Sequence, residues 1–294
     1  MAASKQSYAG TSWDAVLNPG GATDYFAGGI PGPMDAGAHG FSPVNAWWLS
    51  ELSRLVYRRS GDEGGSTAPG RQRRDFLSDV GLVEHAFFDS GSAQAAFITR
   101  PHAKAVPALG ILVFRGTRGT WRNWRTNADF RPVPWPSGGR VHSGFRKQFM
   151  ALWPSIEDLL ENWRAPLFYT GHSLGAALAT LAAAMYRPDA LYTFGSPRVG
   201  DADFVRSLAD IPIYRMYNPR DIVTTLPPAR SPFGFRHAGV PIDNKLTAAA
   251  SMPETPADRQ RVRRFGMGFS RPPRFLADHA PITYLGTPPP STSP

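Results

Sequence analysis

Gly171, His172, Ser173, Leu174 and Gly175 set one serine between two glycines, each two positions away. Before them, Pro166 to Thr170 reads as a buried strand, and after them Leu174 to Tyr186 reads as a helix. A serine in that setting can stand at a tight, strained turn with its hydroxyl exposed, provided that no side chain two residues away blocks the bend. Glycine meets that condition on both sides. The helix is full of alanine (Ala176, Ala177, Ala179, Ala182, Ala183, Ala184), so it can lie close to a sheet and aim its positive N-terminus at charge forming beside the serine. The chemistry is nucleophilic attack through a covalent intermediate.

A serine hydroxyl attacks well only when a histidine takes its proton, and that histidine needs a carboxylate to hold its tautomer. On a strand-turn-helix elbow of this kind the chain order is serine, acid, histidine. Two acids downstream follow strand-like runs. Asp201 comes after Ser196 to Gly200 and is placed to start a helix, which favours a capping role. Asp221 follows the run Ile213 to Tyr217 at a strand's carboxyl end, where active-site loops gather, and is the preferred acid. Of seven histidines, His237 and His279 lie downstream of both. His279 sits near a short helix close to the chain end and is preferred. His237, among aromatics, remains the alternative, with a structural role as its default. His142 and His172 read as structural. An oxyanion needs the amide after the serine, on Leu174, and a second donor from an earlier strand end; Phe114 to Thr117 supply such a loop, with Thr117 as the candidate.

The elements that must hold these residues alternate. After a Ser42-capped helix with Pro43 at its first position and Trp48, Leu52, Leu55 and Val56 on one face, Val83 to Phe88 and Ala95 to Thr99 read as a hairpin. From Leu109 onward, strands at Leu109 to Phe114, Pro166 to Thr170, Ala190 to Phe194 and Ile213 to Tyr217 alternate with helices at Phe145 to Trp163, Leu174 to Tyr186 and Asp201 to Leu208. That alternation predicts a mostly parallel, doubly wound α/β sheet with helices on both faces. The expected division is an irregular N-terminal arm over 1–41, one catalytic domain over 42–287, an Arg- and Pro-rich insert over 229–275 forming a loop-rich C-terminal cap, and a tail over 288–294.

The chain has 294 residues, a net charge of +9 and no cysteine. Disulfides, thiol catalysis and CxxC metal sites are therefore excluded. The basic residues are interspersed with acids and no zinc finger, RNP or Walker pattern accompanies them, so nucleic acid is not an expected partner. The first ten residues lack an apolar segment, which gives a cytoplasmic location by default, or a secreted one if the chain is a mature form.

Five pieces, in order and spacing, resemble the class 3 or fungal-type lipase family: FRGT at 114–117, VHSGF at 141–145, GHSLG at 171–175, FGSPRVG at 194–200 and the acid segment at Asp221, Ile222 and Val223. The resemblance covers Leu109 to Tyr284. It implies the α/β-hydrolase fold, with Ser173, Asp221 and His279 as the catalytic residues, Thr117 and Leu174 as the oxyanion donors, and Tyr284 as the aromatic behind the histidine. It implies hydrolysis of lipid carboxylic esters without metal or organic cofactor. A phospholipase or a short-chain or feruloyl-type esterase would use the same site, and a non-catalytic lipid-binding protein would keep the fold. The family carries a lid at the position of 118–131, where Trp121 and Trp124 fall three apart among Arg118, Arg122 and Arg125, an arrangement suited to transient contact with a lipid interface. The disulfides of the fungal enzymes have no counterpart here, and neither does the Arg-rich insert. Oligomeric state does not follow from the sequence.

Overall fold

The structure, a computed structural model, describes residues 11–60, 70–103, 106–116, 131–229, 233–244 and 272–286. In the N-terminal arm, helix α1 (Trp13–Leu17) is capped by Ser12, and Tyr25, Phe26 and Met34 pack beneath onto helix α2 (Pro43–Leu55). Helix α2 starts as its sequence dictates: the Ser42 hydroxyl accepts from the Asn45 amide at 3.2 Å and Pro43 occupies the first turn. Trp48, Leu52 and Leu55, with Val56 just beyond the helix, are buried. The same helix also buries Glu51 and Arg54, which pair with each other at 2.8 Å while Arg54 reaches Asp24 at 2.6 Å. A third helix, α3 (Arg73–Asp79), carries fully buried Arg73, whose charge is matched by Glu84 of the next strand.

Strands β1 (Val83–Asp89), β2 (Gln94–Arg100) and β3 (Leu109–Phe114) pair antiparallel in sequence. A small antiparallel pair, β4 (Pro132–Pro134) and β5 (Arg140–His142), leads to helices α4 (Ser143–Met150) and α5 (Trp153–Leu160). Then β6 (Leu167–His172), α6 (Leu174–Met185), β7 (Ala190–Phe194), α7 (Ala202–Arg206) and β8 (Ile213–Tyr217) follow in strict alternation. The chain closes with β9 (Val240–Asp243), helix α8 (Arg274–Ala277) and a tight 3-10 turn at Pro281–Tyr284.

The seven-stranded sheet has the order β1-β2-β3-β6-β7-β8-β9, and from β3 to β9 every pairing is parallel. The two-residue period of the strands divides the core. Leu112, Phe114 and Tyr169 face the helices α4, α5 and α6, whereas Ile111, Val113 and Phe168 face α2 and the arm. The expected doubly wound arrangement is the one observed. Because the parallel strands end on one edge, the segments after Phe114, His172, Phe194 and Tyr217 all emerge together there.

One expectation needs correction. The single helix read over Phe145 to Trp163 is two helices, broken at Ala151 and Leu152, because Pro154 is tolerated in the first turn of α5 and would break a helix interior. The 229–275 segment, expected to be loop-rich, also supplies β9, which pairs with β8 through Tyr214↔Val240 and Tyr217↔Asp243. No helix among the described residues is long and apolar enough to cross a membrane.

Candidate active site

Strand β6 runs without interruption into the turn, with Gly171 still paired to Phe114 of β3 and Thr193 of β7. Ser173 then adopts φ +59° and ψ −124°, a conformation that costs a residue with a Cβ of the order of 1–3 kcal/mol. What holds it there is its amide, which donates to the Phe194 carbonyl at 2.9 Å, and the start of α6 directly behind it. Both flanking glycines are required by space. A Cβ on Gly171 would lie 2.4 Å from the Gly175 carbonyl carbon, and one on Gly175 would lie 2.1 Å from the Phe114 carbonyl oxygen.

His279 follows α8 and brings its ring to this turn. Its Nε2 lies 2.9 Å from Ser173 Oγ and its Nδ1 lies 2.8 Å from Asp221 Oδ2. Asp221 sits after β8 and is fully buried; its Oδ1 accepts from the Val223 amide at 2.8 Å and its Oδ2 accepts from the Tyr284 hydroxyl at 2.5 Å. Burial, reinforced by the Asp221 charge and hydrogen bond, pushes the Tyr284 phenol well above its ordinary range, so it remains a donor. The loop carrying His279 is tied to the acid loop. Asn218 Nδ2 donates to the Asp278 carbonyl at 2.8 Å, and Arg220 pairs with Asp278 at 3.0 Å.

The structure therefore brings together Ser173, Asp221 and His279, which are far apart in sequence, and keeps the alternatives away. Asp201 caps α7, accepting from the Phe204 amide at 2.9 Å. The His237 ring bonds the Thr224 carbonyl at 2.8 Å; burial and the charges of Arg215 and Arg198 lower its pKa to about 3. His142 caps α4 through the Gly144 amide and stacks on Phe145. Leu174 is the first residue of α6, where helix amides lack intrahelical acceptors, and it abuts Ser173. Thr117, Trp121 and Trp124 lie outside the described residues, as does nearly all of 118–131. Sequence reasoning missed Asn218 and Tyr57 as residues that hold the site. It named Tyr284 only as an aromatic behind the histidine, without its bond to Asp221.

A hydroxyl in line with an imidazole and a buried carboxylate can be deprotonated as it attacks a carbonyl carbon, and an amide at the N-terminus of α6 can receive the resulting oxyanion. Residues 111–231 match the family model described as Lipase (class 3).

That stretch of the chain is similar to the class 3 lipases.

Among relatives of this chain, a lipase of Rhizomucor miehei is 40% identical over 146 residues, which are 44% of this chain and 39% of the relative. A secreted mono- and diacylglycerol lipase 1 of Fusarium solani is 37% identical over 196 residues, covering 60% of this chain and 57% of the relative. The chain thus spans about half the length of the curated relatives it matches. A solved structure of a mutant MDLA from Penicillium cyclopium superposes with a TM-score of 0.56 at 23% identity, over 71% of this chain and 81% of that one. At that identity the likeness bears on the fold alone, and this chain shares the α/β-hydrolase fold with it.

Proposed function

We propose that this chain is a class 3 lipase and hydrolyses carboxylic esters of lipids through an acyl-enzyme. Ser173 Oγ attacks the ester carbonyl as His279 Nε2 takes its proton, while Asp221, bonded to His279 Nδ1–H, fixes the tautomer and balances the imidazolium that forms. The Leu174 amide, with Thr117, receives the oxyanion; Thr117's part rests on the family resemblance, and Gly116, the residue before it, lies against the elbow, where an added Cβ would be 2.8 Å from the His172 carbonyl oxygen. The protonated His279 gives its proton to the leaving alcohol, and water, activated by the same imidazole, releases the fatty acid.

The observation that carries this reading is the unbroken chain of Ser173 Oγ, His279 and Asp221 Oδ2 at 2.9 and 2.8 Å, hung on a strained turn. Lipid esters are supported by the names of the relatives, a lipase and a mono- and diacylglycerol lipase. The Fusarium relative is named as secreted, so the cytoplasmic default gives way to a site of action outside the cell.

A fluorophosphonate probe should label the chain and lose its target in Ser173→Ala, and a p-nitrophenyl ester should be hydrolysed by the first protein and not the second. A length series from acetate to palmitate then ranks the acyl chain; activity confined to acetate and butyrate would replace the lipid assignment with a short-chain esterase.

A further inference from the structure

The imidazole next to the nucleophile makes two hydrogen bonds that catalysis by Ser173, His279 and Asp221 does not itself use. His172 Nε2 lies 2.7 Å from the backbone carbonyl of His279, and its Nδ1 lies 3.0 Å from the hydroxyl of Tyr57. A carbonyl oxygen only accepts, so Nε2 carries the hydrogen and Nδ1 accepts from Tyr57. The ring is buried, tilted against the His279 ring at 4.7 Å and against that of Tyr284 at 5.8 Å. Burial and the neighbouring His279 hold its pKa well below the ordinary histidine range, so it stays neutral. Tyr57 is buried just after α2, on an element 115 residues away in sequence. Its hydroxyl also lies against Gly116, where an added Cβ would stand 2.0 Å from it.

We infer that His172 is a positioning residue, and that with Tyr57 it locks the base to the nucleophile. It is bonded covalently to Ser173 on one side and by hydrogen bond to the main chain of His279 on the other, so the spacing of hydroxyl and imidazole is set through one rigid ring. Tyr57 pins that ring from behind and connects it to the end of β3, the strand that leads to Thr117. A small displacement of His279 along the Nε2 to Oγ direction would lengthen a 2.9 Å contact whose alignment governs proton transfer. Rigid support of that kind cannot come from α8 alone, a helix of four residues.

The inference rests on the triad reading, and the test separates the two. On a soluble p-nitrophenyl ester, His172→Phe should lower kcat about 10- to 100-fold with KM within about twofold. His172→Gln, whose terminal amide reaches toward the position of Nε2 and can donate to the His279 carbonyl, should recover most of the loss. Tyr57→Phe should fall between, about threefold to tenfold in kcat. Melting curves accompany each variant, because a residue that only fills space would change Tm and leave kcat alone. Wild-type kcat in His172→Phe, with Ser173→Ala inactive, would overturn the inference and leave the triad standing; so would a His172→Gln no better than His172→Phe. Hydrolysis persisting in Ser173→Ala would remove the triad reading and this inference with it. Should His172→Phe fail to fold, Tyr57→Phe decides: an unchanged kcat overturns the proposal, and a fall at constant KM supports it.

Discussion

Tyr284 donates its hydroxyl at 2.5 Å to Oδ2 of Asp221, the same oxygen that faces His279 Nδ1 at 2.8 Å. One carboxylate oxygen is therefore shared by the base and by a phenol held in the turn five residues after it. The phenol also accepts the Asn218 amide at 3.2 Å, so acid loop and histidine loop are closed on each other at two points. A buried charge needs such partners, since an uncompensated carboxylate away from water is expensive.

Tyr284→Phe removes a charge-assisted bond and leaves the Asn218 amide without that acceptor. Bonds to charged groups are worth about 1.5–3 kcal/mol net, so urea unfolding should show a loss of about 2 kcal/mol. Activity on a soluble ester should fall about tenfold in kcat, with little change in KM, because Asp221 keeps its Val223 and His279 bonds. Unchanged stability would mean that the phenol contributes nothing net to holding the acid.

The three bonded residues should fail together. Ser173→Ala and His279→Ala are each expected to reduce kcat by about a thousandfold or more, and Asp221→Asn to reach a similar size through loss of the correct tautomer. His237→Ala should stay within about threefold, since that ring bonds the Thr224 carbonyl, whereas His279 holds the bond to Ser173. A large loss in His237→Ala with a mild one in His279→Ala would reverse the assignment of the base.

What the sequence made legible is local. The elbow, the Ser42 cap and the strand-helix alternation are each written within a dozen residues, and each is found where it was read. What it hid depends on distant pairing. Arg73 stands in a basic run, yet it is fully buried and paired with Glu84 of β1. Tyr57 carries no local mark of its bond to His172, and β9 is four residues whose pairing depends on β8. The break before α5 was legible in principle, since Pro154 does not fit a helix interior.

Gly175→Ala tests the geometry of the elbow apart from its chemistry. The new Cβ would meet the Phe114 carbonyl at 2.1 Å, and both sides of that contact are backbone, so α6 must move off β3 and carry the Leu174 amide with it. Overpacking of that kind costs about 1–3 kcal/mol or more, and Tm should fall accordingly together with kcat. Gly28→Ala is the control, because nothing lies within 4 Å of the added carbon there. Equal melting temperatures for the two variants would contradict the close approach of helix and strand.

The pH dependence of stability follows from His237. Burial, then Arg215 and Arg198, hold its pKa at about 3, against an ordinary value of 6.5, and its buried Nδ1 has no hydrogen-bond partner among the described residues. Below pH 6.5 the unfolded chain binds a proton that the folded chain refuses, so this group costs the folded state more stability as pH falls, until its folded pKa near 3 is reached. Above about pH 7 both states hold it neutral and the contribution is flat. A full difference of one proton is worth about 1.4 kcal/mol per pH unit, and partial solvent screening of this ring narrows the pH range over which that slope is reached. His172 titrates in the same sense, and its pKa too is lowered chiefly by burial. Urea unfolding at pH 7.5, 6.5, 5.5 and 4.5 should therefore show wild type losing ground to His237→Gln with each step below 6.5, whatever their order at pH 7.5. A stability difference between the two proteins that is constant across the series would mean that His237 titrates alike in the folded and unfolded chain, and that the arginines beside it are screened by solvent.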